Sequence, residues 1–143
     1  MKGLAALIRL NKWTLEEKRR ALASLQGLRA DLVRQGKDLE AEVVREQQQA
    51  RNDAHGAWAY SEYAKLVIAR RAKLARSVVE CDKRIDDARD EVASAWRELR
   101  KYELAEEREQ ARLALEAAKI ERQELDEIAL TQNRLKRAQQ QEP

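Results

Sequence analysis

A single histidine, His55, and a single cysteine, Cys81, are the only imidazole and thiol groups in a chain of 143 residues that also carries 26 acidic side chains. One of each cannot build a His/Cys metal cluster or a nucleophile–base–orienter triad. The chain also lacks the GxxxxGK[ST] and GxGxxG loops that hold phosphates. The carboxylates could do acid or base work only inside a pocket that shifts their pKa, so they read as a solvated face. The expectation is a protein that is not an enzyme and has no catalytic residue, cofactor or metal. What remains is recognition chemistry. The stretch HGAWAYSEYAK, His55 to Lys65, holds Trp58, Tyr60 and Tyr63, half of all the aromatics in a chain without Phe. Rigid Trp and Tyr side chains are the usual anchors of protein interfaces. Helical spacing puts Trp58, Tyr63 and Val67 within one broad face and points Tyr60 elsewhere. The group is therefore either a cap that closes one end of a core or a docking patch.

Such side chains need a scaffold, and the composition indicates which. The chain is 38% charged, with only four Gly and one Pro. That is too few turn residues for a β-rich domain, and abundant Ala, Glu, Lys, Leu and Arg belong to long helices and coiled coils. Steps of four and three residues from Leu4 to Ala50 meet fourteen positions, nine of them apolar, among them Ile8, Leu15, Leu22, Leu39 and Val43. The same count from Val67 to Tyr102 meets only one residue that is not apolar, Arg71. A repeat of about 3.5 residues kept up over several heptads marks a helix wound on a partner helix. Gly27 and Gly36 each weaken the first stripe by about 1 kcal/mol relative to Ala. Past Tyr102, Glu106 and Glu109 break the strict pattern, while Leu113, Ile120, Ile128 and Leu135 still recur near helical spacing. This distal part should pack loosely or wait for another protein.

Between the stripes lies RNDAHGA, residues 51 to 57, where Asn52, Asp53 and Gly56 supply turn and capping chemistry and His55 is exposed. The reading is an all-α fold, a long antiparallel two-helix coiled-coil hairpin with unequal helices in a single domain. Helix one covers about 4–50, the turn 51–57, helix two about 58–135, and a frayed tail 136–143. Cys81 falls on the seam between Val78 and Ile85 as a small core residue. Thr14 and Glu17 have the form of a capping box, but the apolar stripe runs through them. The fold-back sets residue i opposite roughly 108 minus i. It thereby lays residues 1–37, with nine basic and three acidic side chains, beside the acidic segment that begins near residue 80. It also lays Lys65, Arg70, Arg71, Lys73 and Arg76 beside Asp38, Glu40, Glu42 and Glu46. Both matches favour the intramolecular hairpin over a parallel dimer. At 1.5 Å per residue the helices reach ~70 Å and ~120 Å, leaving roughly the last 30 residues of helix two as an uncovered arm.

No apolar run approaches the ~18 residues of a membrane span, and MKGLAALIRLNKW has no signal-type core, so a cytoplasmic protein is expected. A lone cysteine agrees with a reducing compartment. Basic clusters such as Lys18, Arg19 and Arg20 could grip a phosphate backbone. Pairing with the acidic helix explains them as well, and no base-stacking sheet or nucleic-acid motif accompanies them, so no nucleic acid is expected.

The segments LIRLNKWTLEEKRRALASL, WAYSEYAKLV, SAWRELRKYE and ELDEIA occur in an order and spacing that resembles the FliJ family of bacterial flagellar proteins. The resemblance covers nearly the whole chain and rests most on the aromatic patch after the turn, on Ser94, Trp96, Arg97 and Glu98, and on Leu125, Asp126 and Glu127. It implies a soluble component of the flagellar type III export apparatus, a coiled coil similar to the central stalk of rotary ATPases. Its partners would be the hexameric export ATPase, the cytoplasmic linker of the export-gate membrane protein, and export chaperones whose recycling it aids. It would sit in the cytoplasm, peripherally associated with the inner membrane at the flagellar base. By the same resemblance the aromatic and aliphatic residues that contact the export gate fall on Tyr63 and Val67, with Val67 at least partly out of the seam, and Trp58 and Tyr60 are expected to complete the docking surface. The ring-facing side chains are Arg9, Lys12, Lys18, Arg19, Arg20, Arg134, Lys136 and Arg137. The alternatives are the equivalent stalk of a virulence secretion system, told apart by neighbouring genes, and a nucleic-acid-binding helical arm.

Overall fold

The computed structural model describes residues 2–52 and 55–141. They form two helices and, among the described residues, no strand: α1, Lys2–Arg51, and α2, Gly56–Gln140. The fold is the all-α helical hairpin that the two apolar stripes require. At the turn, the Asn52 amide donates to the Gln49 carbonyl at 3.2 Å, closing α1. The Ala59 amide donates to the His55 carbonyl at 3.4 Å, so His55 opens α2 and Gly56 lies inside the helix rather than in the turn. Asp53, the third expected turn residue, lies outside the described residues. The tail expected to fray from residue 136 is helical as far as Gln140. No helix breaker interrupts it there, and Arg137 in the last turn complements the negative end of the helix dipole. Thr14 does not cap a helix: its hydroxyl donates to the Leu10 carbonyl at 3.0 Å, one turn back, and α1 passes straight through.

Contacts divide the chain into two compact units: Arg9–Leu99, and the residues up to Ile8 together with those from Arg100 onward. In the Arg9–Leu99 unit the helices run antiparallel. Lys18 pairs with Glu91 at 3.2 Å, Arg29 with Asp82, Arg71 with Glu40, and Gln47 with Tyr60. The two residue numbers in each pair add to about 107 to 111, which is the register expected from a fold-back near residue 54.

The two stripes are the covered faces. Of their positions within this unit, only Arg29 and Arg71 are exposed, and these are two of the residues that reach across to the other helix. A seam arginine lays its methylenes along the groove and carries its guanidinium out to a carboxylate on the facing helix. Arg71 does so with two bonds to Glu40, at 2.5 and 2.7 Å. Arg29 and Glu40 on α1, like Asp82 and Arg71 on α2, lie about three turns apart, so the two pairs share one face with opposite polarity. A parallel or slipped arrangement would lose both. Their side chains are about half exposed, so they fix register more than they add stability. The apolar seam supplies the stability. It is thin: Cys81 at 3% and Leu39 and Val67 at 4% are its least exposed side chains, and no polar or charged residue is buried as a whole among the described residues.

In the other unit Ile8 is buried, and Leu4, Tyr102, Glu106 and Glu109 are half-buried. Cover ends there: every described residue from Gln110 to Gln141 is exposed. Along this stretch Arg112 bonds Glu109 at 2.7 Å and Glu116 at 3.1 Å, a chain of charges on one helical face. Among the described residues no helix is long and apolar enough to cross a membrane.

Candidate protein-docking interface

The first turns of α2 bring the aromatic cluster against the last turns of α1. The Tyr60 hydroxyl accepts from the Gln47 side chain at 2.9 Å, and the rings of Tyr60 and Tyr63 lie 6.1 Å apart, tilted by 47°. Tyr63 packs, with Leu74, on the buried trio Leu39, Val43 and Val67. Trp58 stands out into solvent, 75% exposed. Helical geometry explains this division. Continuing the α2 seam back from Val67 by three and then four residues lands on Ala64 and Tyr60. Tyr63 then flanks the seam, and Trp58, two residues before Tyr60, points to the opposite side.

Two expectations are corrected here. Tyr60, read as pointing elsewhere, is half-buried against α1, while Trp58 is the aromatic that leaves the face. Val67, expected to leave the seam, is 4% exposed and part of the core, because the heptad count that starts on it continues through Ala64 and Tyr60. The sequence reading also passed over Val44, Leu66 and Ile68, large apolar side chains near the turn that lie more than half exposed. The signal for them was available: each sits next to a buried or half-buried seam position and so faces outward by default.

The Tyr63 hydroxyl is buried and makes no hydrogen bond of good geometry, with the Glu42 carboxylate as its local acceptor. Loss of water pushes its pKa up, and the neighbouring carboxylates of Glu42 and Glu46 push it further the same way. The group lies beside an open cleft of about 330 Å³ lined by Glu46, Gln49, Ala50, Gly56, Ala59 and Tyr60.

The basic residues fall into two groups. Arg9, Lys12, Lys18, Arg19 and Arg20 belong to the Arg9–Leu99 unit, and Arg134, Lys136 and Arg137 to the other. Lys18 is held by Glu91 at 3.2 Å, Arg19 by Glu16 at 3.0 Å and Arg20 by Glu17 at 2.7 Å. Arg9, Lys12, Arg134, Lys136 and Arg137 are exposed and make no ion pair among the described residues, so they are the freer cations. Trp96 is 52% exposed, with Arg97 and Glu98 exposed beside it, between the buried Ala95 and Leu99. Asp126 and Glu127 are exposed in the stretch that α1 does not cover.

Among the described residues no three His, Cys, Asp or Glu side chains are grouped as a metal would need. The Cys81 thiol is buried and faces the Leu25 carbonyl at 3.4 Å, so it is packing, as the seam position requires. What the surface offers is an exposed Trp beside two half-buried Tyr rings, free cations, and a long uncovered helix. Compared with protein-family models, curated proteins and solved structures, the chain finds no match.

Proposed function

We propose that this chain is the FliJ-type stalk of a flagellar type III protein export apparatus, engaging the hexameric export ATPase and the cytoplasmic linker of the export gate. The observation that carries this reading is the run of α2 from Gln110 to Gln141, helical to Gln140 and exposed at every position. A stalk works by presenting helix surface to a surrounding ring, so it needs no pocket and no catalytic group. The segments quoted in the sequence analysis add the resemblance in order and spacing. Arg134, Lys136 and Arg137 lie in this run and supply its positive end. The gate contact falls on Trp58 with the ring edges of Tyr60 and Tyr63, while Val67 supports them from within the core.

Mixing the chain with a hexameric export ATPase tests the reading. Stable co-elution with stimulated ATP turnover is expected. Reversing Arg134, Lys136 and Arg137 to Glu should remove most of the stimulation while leaving helicity by circular dichroism unchanged. An ATPase that neither binds the chain nor responds to it overturns the proposal. At the gate, Trp58→Ala should weaken binding of the linker by about tenfold or more, as expected for an exposed anchor, without lowering the melting temperature. Val67→Ala should instead cost about 2 kcal/mol of stability and affect binding only through folding.

A further inference from the structure

We infer that the uncovered face of α2 between Leu113 and Leu135 is a self-association surface, on which the same stretch of a second copy lies antiparallel about Glu124. The face is apolar and open: Leu113 is 45% exposed, Ile120 52%, Ile128 54% and Leu135 60%. Their spacing of seven, eight and seven residues keeps them on one side of a nearly straight helix. The order of side chains along that side identifies the occupant. Read outward from Glu124, it gives Ile120 and Ile128, then Ala117 and Thr131, then Leu113 and Leu135, so large faces large and small faces small in either direction. An isologous two-fold contact requires a surface that matches its own reversal, and an unrelated partner has no need of one.

Charge agrees at the flanks. In the antiparallel Arg9–Leu99 unit, Arg29 with Asp82 and Arg71 with Glu40 pair about three residues off the register of 108. A similar offset, of two residues about Glu124, brings Glu116 of each copy, which Arg112 holds within its own chain at 3.1 Å, to Arg134 of the other. The opposing feature is Glu124 itself, whose carboxylate meets its own copy on the axis. Like charges facing each other weaken the pairing, which makes the association reversible rather than permanent. The inference concerns the chain alone and does not depend on its place in an export apparatus.

The test is sedimentation of the full chain with and without Glu124→Leu, each checked for helicity. The substitution should tighten dimerisation by about tenfold or more, since it removes the repulsion and extends the apolar face. Ile120→Glu added to it should return the chain to monomer. Orientation is read by oxidation in a Cys81→Ser background. Chains carrying Ile120→Cys and chains carrying Ile128→Cys should cross-link to each other far more than to themselves. A Glu124→Leu chain that stays monomeric at about 100 μM, where a dimer weaker than that has no standing as a specific contact, overturns the inference. Predominant cross-linking of Ile120→Cys chains to one another overturns it too, because that pairing is parallel.

Discussion

At the scale of single residues, the hairpin separates side chains that stabilise it from side chains that orient it. Val67, Leu39 and Val43 form the apolar contact beside the turn, and Tyr63 rests on them with its hydroxyl buried. Arg71 and Glu40 pair over the same part of the seam. The hydrogen bond from Arg71 holds the Glu40 carboxyl below its ordinary range, against a smaller opposing effect of burial. A carboxyl whose pKa is depressed by folding stabilises the fold at neutral pH. That contribution is lost as pH falls from the ordinary Glu range through the depressed value. Arg71→Met should therefore lower the melting temperature at pH ~7, and the gap from the unaltered chain should narrow as pH falls below the ordinary Glu range and Glu40 becomes protonated. A gap that persists unchanged in acid would mean that Arg71 acts through its methylenes along the seam and not through its charge. The aromatic cluster was only half legible in the sequence for a related reason. Spacing assigns a face only once the seam is fixed, and the clear apolar repeat begins at Val67, while the seam itself continues back through the less apolar Ala64 and Tyr60.

At the scale of elements, the two stripes were the most legible feature, since a repeat held over many turns leaves one way to cover it. Every position they name in the Arg9–Leu99 unit is covered except Arg29 and Arg71, and those two depart because a long charged side chain can occupy a seam position and still end in water. The helix ends were less legible. Gly56 and the residues after 135 carry turn or polar character, yet nothing near them breaks a helix, so α2 includes both. Gly27 and Gly36 sit inside α1, and a methyl group added at either would meet nothing within 4 Å. These positions give up helix propensity without any close approach that needs it. Gly27→Ala and Gly36→Ala should each stabilise the chain by about 0.5–1 kcal/mol, read as a higher midpoint in urea with an unchanged slope. A loss at Gly36 would show that the facing helix comes closer there in solution and needs the bare backbone.

At the scale of the whole molecule, continuity of backbone does not mean continuity of stability. α2 is one helix from Gly56 to Gln140, but its seam positions from Val67 to Leu99 are nearly all covered while everything from Gln110 to Gln141 is exposed. The covered part loses its hydrogen bonds only when the apolar seam opens. The exposed part is held by intrinsic propensity and by local ion pairs such as Arg112 with Glu109 and Glu116. Those suffice for a helix of this composition to form, but not to keep it from opening turn by turn, because helix growth without packing gains little per residue. Circular dichroism should then report a chain that is almost wholly helical, while amide hydrogen exchange divides it. Residues 39–43 and 81–99 should be protected to near the global unfolding free energy, and residues 110–140 should exchange faster by at least about a hundredfold. Raising the protein concentration should slow exchange beyond Gln110 if copies pair there, and adding an export ATPase should slow it further if that stretch is what the ring holds. Equal protection along the full length of α2 in dilute solution would show that the exposed stretch is stabilised by something other than packing, and both binding proposals would lose the uncovered surface they use.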